Sequence, residues 1–181
     1  MTKPKVLLLG LIAGVLAVLY GGGGAAANAA AVMPRPLVAE KAARPAPAVG
    51  FTDAKGVRHT LKQYQGRYVL VNMWATWCAP CVAELPALAR LKRAAPNIHV
   101  LAVDLTGKAQ TPAKSLAFLK EHKADSLGAL VDTERMFMRG FTAAVMPTTV
   151  LIDPKGNVVA RAEGPAEWDA KEFVSYFRSL K

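Results

Sequence analysis

Hydrophobic and polar positions alternate in blocks that predict a run of short elements. Tyr68 to Trp74 (YVLVNMW) is an unbroken apolar and aromatic stretch, the pattern of a strand covered on both faces in the middle of a sheet. Ile98 to Asp104 predicts a second buried strand. Between them, Pro80 to Ala95 predicts a helix: Leu85, Leu88 and Leu91 supply apolar contacts, Pro86 is expected to bend it and Pro96 stops it. A helix between two such strands predicts a parallel crossover. Upstream, Phe51 to Leu61 predicts a hairpin turning at Asp-Ala-Lys-Gly, followed by one helical turn from Leu61 to Tyr64. Downstream, Thr111 caps and Pro112 opens a helix running to His122. A short strand near Ala129 to Asp132 and a turn of helix near Glu134 to Arg139 come next. Thr148 to Ile152 and Val158 to Glu163 predict a hairpin around Asp153, Pro154, Lys155, Gly156 and Asn157. Ala170, Phe173, Val174, Phe177 and Leu180 give a closing helix one apolar side. The sum predicts an α/β fold, a three-layer sandwich with a mixed central sheet and an N-terminal hairpin. No glycine-rich phosphate loop follows any strand, so the pattern is not that of a doubly wound nucleotide binder.

The first 49 residues read differently. A basic Met1 to Lys5 precedes fifteen uncharged residues, Val6 to Tyr20, the pattern of an export signal or a signal anchor. Ala27, Asn28 and Ala29 offer a cleavage triplet, so residues 1–31 are expected to be either a signal peptide or a membrane anchor. Residues 32–49 are rich in Ala and Pro, which predicts a semi-rigid spacer, and the folded domain is expected to span 50–181. The formal net charge of +10 comes from 23 Lys and Arg against 13 Asp and Glu. That surplus is scattered rather than clustered, so no nucleic-acid partner is expected.

Only two cysteines occur, Cys78 and Cys81, and His59, His99 and His122 lie far apart. Neither a closed zinc site nor a disulfide framework can be built from these, so no metal site is expected and the pair must be explained by chemistry. Two cysteines two residues apart at the junction of a buried strand and a helix suit reversible dithiol chemistry. Their sulfurs can meet when oxidised, and the helix start favours a thiolate on the first. Cys78 is therefore the expected nucleophile and Cys81 the resolving cysteine, their reversible disulfide taking the place of a bound cofactor. The opposite direction of exchange is equally allowed, and a Cu(I) carrier using both sulfurs as soft ligands is a different class of alternative. Glu84, three residues after Cys81, has two open readings: a desolvated acid that takes and returns the Cys81 proton, or an exposed acid complementing the helix dipole. Asn72 is polar in an otherwise apolar strand, and Trp74 ends that strand; both are expected to support the pair. Met146 and Pro147 precede the Thr148 strand. Trans is the common state there, and cis is the sharper alternative, turning Met146 toward a bound peptide.

Trp74 to Pro86 (WATWCAPCVAELP), together with VMPTTVLIDPKGNVVARAEGPAEW from Val145 to Trp168, resembles the membrane-anchored thioredoxin-like proteins of the TlpA and ResA type. GPAEW is most similar to the TlpA branch. The resemblance covers about residues 50–181 and implies a thioredoxin-like fold, with Cys78 and Cys81 as redox pair, Glu84 as active-site acid and Pro147 in the cis form. Trp77, Pro80, Met146 and Pro147 would bind the client, and residues 106–128 would match an extra helical insertion. Members typically face the periplasm, so the implied protein is a disulfide reductase anchored to the inner membrane and recharged by a membrane electron donor, its domain monomeric. Its client would be a copper-loading or cytochrome oxidase assembly protein, or alternatively apocytochrome c. Ala143 and Ala144 stand where the dedicated cytochrome c maturation proteins carry a Gly-rich segment with a Glu, which favours the oxidase client.

Overall fold

The computed structural model describes residues 32–181. The strands are β1 (Val38–Pro45), β2 (Gly50–Asp53), β3 (Arg58–Thr60), β4 (Val69–Trp74), β5 (His99–Asp104), β6 (Leu130–Val131), β7 (Thr148–Ile152) and β8 (Asn157–Glu163). The helices are α1 (Ala79–Ala94), α2 (Pro112–Glu121), α3 (Met136–Gly140) and α4 (Lys171–Ser179). The strands form one mixed sheet in the order β1-β8-β7-β4-β5-β6-β2-β3. β4 and β5 run parallel through the predicted crossover, β5 and β6 are parallel as well, and the other pairings are antiparallel. This is the expected thioredoxin-like α/β sandwich, with α2 and a short 3-10 turn at Asp125–Leu127 occupying the stretch 106–128.

β4 positions everything that follows. All six of its residues are buried, and alternation sends Leu70, Asn72 and Trp74 to one face and Val69, Val71 and Met73 to the other. Leu70 and Trp74 pack with Leu85, Leu88 and Leu91 of α1 and with Phe173 and Phe177 of α4. The opposite face packs on Phe137 and Phe141, at and just after α3. Asn72 is therefore a polar residue turned toward α1. Leu88 has no exposed surface. Leu88→Ala is expected to destabilise the domain by about 2–5 kcal/mol, read as a lower urea midpoint with an unchanged slope; a smaller loss would mean that the site collapses around the deletion.

Two expectations are corrected. The spacer at 32–49 contains a strand of the sheet: β1 pairs with β8, Val38 opposite Arg161 and Arg44 opposite Val158, with a register shift between Ala39 and Arg44. The folded unit thus begins before residue 50, and Leu37 is already buried. β1 carries no alternating apolar signal because nearly all its side chains face solvent. What holds it is the ladder itself, which satisfies N–H and C=O groups along β8 that would otherwise form an open edge.

The second correction concerns anchoring to the inner membrane, and the periplasmic location tied to it. Among the described residues no helix is long and apolar enough to cross a membrane. The longest described helix, α1, has 16 residues and carries Glu84, Arg90, Lys92 and Arg93. It reaches about 24 Å, short of the roughly 30 Å of a bilayer core. The leader expected at 1–31 lies outside the described residues.

Candidate active site

The chain leaves β4 at Trp74 and enters α1 after a tight loop. Cys78 is the N-cap residue, its N–H donating to the carbonyl of Ala75 at 3.1 Å and its carbonyl accepting from Val82 N–H at 3.0 Å. Pro80 sits in the first turn, where a missing N–H breaks no helical bond. Cys78 and Cys81 are joined by a disulfide, with their Cα atoms 5.3 Å apart. Cys78 keeps 6% of its surface exposed and Cys81 none. One sulfur thus lies at the rim and the other beneath it.

Glu84 settles between its two open readings: it is buried, with 4% exposure. Oε1 accepts from Asn72 Nδ2 at 2.6 Å. Oε2 accepts from the Trp168 indole N–H at 2.8 Å and the Ala166 backbone N–H at 3.0 Å. Asn72 Nδ2 also reaches Thr149 Oγ1 at 2.9 Å on β7. Burial raises the Glu84 pKa from 4.5 to about 7, and the three donors only partly oppose that rise. Glu84 lies one helical turn beyond Cys81 on the same side of α1. It also lines an open groove of about 600 Å³ with Ala83, Ala87, Arg90, Pro165 and Ala166. A proton on this carboxyl therefore has a way out that does not pass the disulfide.

Trp168 and Ala166 come from the loop after β8 and were not anticipated as partners of Glu84. The available signal was an indole N–H, which when buried requires an acceptor. Trp168→Phe is expected to raise the Glu84 pKa above about 7, because it removes a donor that favours the charged carboxylate. Carboxyl NMR titration reads this directly, and an unchanged or lower value would remove Trp168 from the network's control of charge.

Trp77 is 58% exposed beside the pair. Its Nε1 donates to the Thr106 carbonyl at 3.3 Å, and the Arg135 guanidinium lies 5.5 Å from the ring centroid. Thr106 Oγ1 accepts from Thr76 N–H at 3.0 Å and donates to the buried carboxylate of Asp104 at 2.5 Å. The loop before Cys78 is pinned through Thr106 to the end of β5, a connection the residue pattern did not reveal. Trp74 is fully buried against Phe118, and its Nε1 has no hydrogen-bond partner among the described residues. The Met146–Pro147 bond is cis. Met73 pairs with Thr148, so Pro147 lies beside the end of β4 from which the redox loop departs. Met146 is half-buried, and Val145 is 46% exposed.

With this geometry in place, residues 41–178 match the family model described as Redoxin. The chain belongs to the Redoxin family. Within it, the chain is similar to the thiol-disulfide oxidoreductase ResA of Geobacillus kaustophilus, 32% identical over 117 residues covering 62% of this chain and 64% of that protein. It is also similar to ResA of Bacillus subtilis, 30% identical over 121 residues covering 66% and 65%. The chain thus spans slightly under two thirds of the length of these relatives. Among solved structures, the exposed lipoprotein thioredoxin Etrx1 of Streptococcus pneumoniae superimposes with TM-score 0.60 at 27% identity, covering 73% of this chain and 98% of that one. A thiol:disulfide interchange protein DsbE from Chlorobium tepidum gives TM-score 0.63 at 24% identity, covering 75% and 96%, a likeness of fold. This redoxin carries its reactive disulfide, Cys78 to Cys81, in its own chain.

Proposed function

We propose that this chain is a thiol-disulfide oxidoreductase that reduces a disulfide in a client protein. The observation that carries the reading is the disulfide at the start of α1, with Cys78 at the rim and Cys81 sealed beneath. In the reduced protein, the Cys78 thiolate attacks one sulfur of the client disulfide. A mixed disulfide forms, and the client's other sulfur leaves as a thiolate. Cys81 then loses its proton and attacks Cys78, forming the internal disulfide and releasing the second client thiolate. The client gains two electrons and this protein loses two, so a separate dithiol donor must recharge it.

Cys81 has no exposed surface in the disulfide form, so its thiol needs a base close at hand on α1. Glu84 accepts the proton and releases it to solvent through its groove, while the departing thiolate takes its proton from water. The Glu84 pKa of about 7 leaves comparable acid and base populations near neutrality, the condition for efficient proton transfer in both directions. Asn72 and Trp168 hold the carboxyl in place.

The finer assignment rests on Gly164 to Trp168 (GPAEW) and on Ala143 and Ala144 beside the Met146–Pro147 turn. Both favour a TlpA-type protein whose client is a copper-loading assembly factor of cytochrome oxidase over one serving apocytochrome c. A Cu(I) carrier has less support: His59 is hydrogen-bonded to Asp53 and Gln63 and His122 to the Phe118 carbonyl, so neither is a ligand beside the pair.

Reduction of insulin disulfides by the dithiol form, followed as turbidity, tests the activity, and equilibration with glutathione buffers tests its direction. The reductant reading expects insulin reduction and a potential at or below the glutathione range; a potential close to about −120 mV would make the protein an oxidant. Failure to reduce any protein disulfide would overturn the reading.

A further inference from the structure

A second open groove, of about 430 Å³, is lined by Arg135, Met138, Arg139, Thr142, Ala143 and Ala144. Two links carry it to the redox pair. The Arg135 guanidinium lies over Trp77, the residue before Cys78, and Ala144 leads through Val145 and Met146 to Pro147. The lining of the groove thus touches, through Arg135, the residue before Cys78, and adjoins in sequence the turn that carries Pro147.

Its arginines have no direct carboxylate partner among the described residues, and the buried Asp104 carboxylate beside Thr106 is already held by Thr106 and Gln110. Arg135 donates through Nε to the Leu105 carbonyl at 3.0 Å and through Nη2 to the Thr106 carbonyl at 2.9 Å, neutral acceptors that fix its position and leave its charge. Arg139 has one side-chain hydrogen bond, to Met136 Sδ at 2.8 Å, and a thioether is a weak acceptor. Of the nearby acids, Asp132 is buried and accepts the Phe137 N–H, while Glu134 is exposed ahead of Arg135. Exposed apolar side chains stand next to the lining residues in the chain or in contact with them: Trp77 under Arg135, Met136 and Val145 are 58%, 40% and 46% exposed.

We propose that this groove docks an extended, carboxylate-bearing segment of the client protein, holding it while the adjoining disulfide reacts at Cys78. A planar guanidinium such as that of Arg139 takes a carboxylate in two parallel hydrogen bonds, and the small side chains of Ala143 and Ala144 let an extended backbone approach. A segment rising about 3.3 Å per residue covers the distance along Val145 to Pro147 with a few residues. This docking role rests on the thiol-disulfide reading above and adds the charge of the client.

Two oxidised peptides of equal length, each closed by one internal disulfide, test it: one flanks the cysteines with Asp, the other with Lys. Each takes two electrons from the reduced protein, and the change in tryptophan fluorescence on mixing gives the rate. The Asp peptide is expected to react about fivefold faster at low salt, a preference that fades in about 0.5 M NaCl. Arg139→Glu erases or reverses the preference and Arg139→Gln reduces it, with circular dichroism checking that each variant is folded. Lys62→Glu, an equal change in net charge on the turn after β3 and outside the groove, keeps the preference. Equal rates for the two peptides with the unaltered protein, or an equal loss of preference in Lys62→Glu, would overturn the proposal. Uncharged hydroxyethyl disulfide separates the two levels. If the unaltered protein reduces it without discriminating between the peptides, the groove alone is refuted; if it reduces neither it nor either peptide, the underlying exchange reading falls as well.

Discussion

Cys78→Ser is expected to lower the rate of disulfide reduction by on the order of a thousandfold or more, because a hydroxyl at the N-cap of α1 cannot supply the thiolate that opens a client disulfide. Cys81→Ser behaves differently. The attack still occurs at the exposed rim, but nothing beneath resolves it, so the client remains bound to Cys78. Such adducts, separated on non-reducing gels and identified by mass spectrometry, name the client and distinguish an oxidase assembly factor from an apocytochrome. The reverse pattern, with adducts on Cys81 in Cys78→Ser and none on Cys78, would exchange the two roles. The 6% exposure of Cys78 against none for Cys81 argues for the order given.

The second large effect concerns Glu84. Its pKa rises from 4.5 to about 7 because the fold withdraws it from water. Between those values the folded state holds a proton that the unfolded state has released, so folding is favoured at low pH. That contribution is complete below about pH 4.5, declines as pH rises and is lost above about 7. The span corresponds to about 3 kcal/mol. Glu84→Gln is expected to remove the slope, so that the wild type's stability advantage over the variant, taken from urea midpoints at pH 4.5 and pH 8, falls by about 3 kcal/mol and vanishes or reverses sign as pH rises. At low pH the variant is weaker by about 1–3 kcal/mol, because its amide NH2, which accepts no hydrogen bond, must face either Asn72 or the Trp168 and Ala166 donors, where a carboxylic hydroxyl oxygen can still accept. Release of client from the mixed disulfide should slow on the order of a hundredfold near neutrality and lose its inflection near pH 7. Identical pH profiles for the two proteins would leave Glu84 a packing residue.

The contrast between Glu84 and Cys78 shows what each level of description contains. By itself the sequence determined the features whose cause is local. Tyr68 to Trp74 announced a central strand, Thr111 and Pro112 a helix start, Asp153 to Asn157 a hairpin turn, and the two cysteines at the head of a helix their own bond. Each of these depends on residues within a few positions of one another, where backbone dihedrals, side-chain periodicity and turn chemistry act directly.

The remaining features depend on partners distant in the chain, which meet only in the folded molecule. Asn72 lies 12 residues before Glu84 and Trp168 lies 84 after it. Whether Glu84 was an exposed acid or a desolvated one could not be read until the loop after β8 was folded over it. Arg135 meets Trp77 only because α3 starts beside the end of β5. β1 looked like a linker because its side chains are turned to solvent and its stabilisation lies in backbone bonds to β8, a contribution that residue types do not encode. A buried charge, a stacked guanidinium and an edge strand all depend on what the rest of the chain brings alongside, and that is fixed only when the sheet closes.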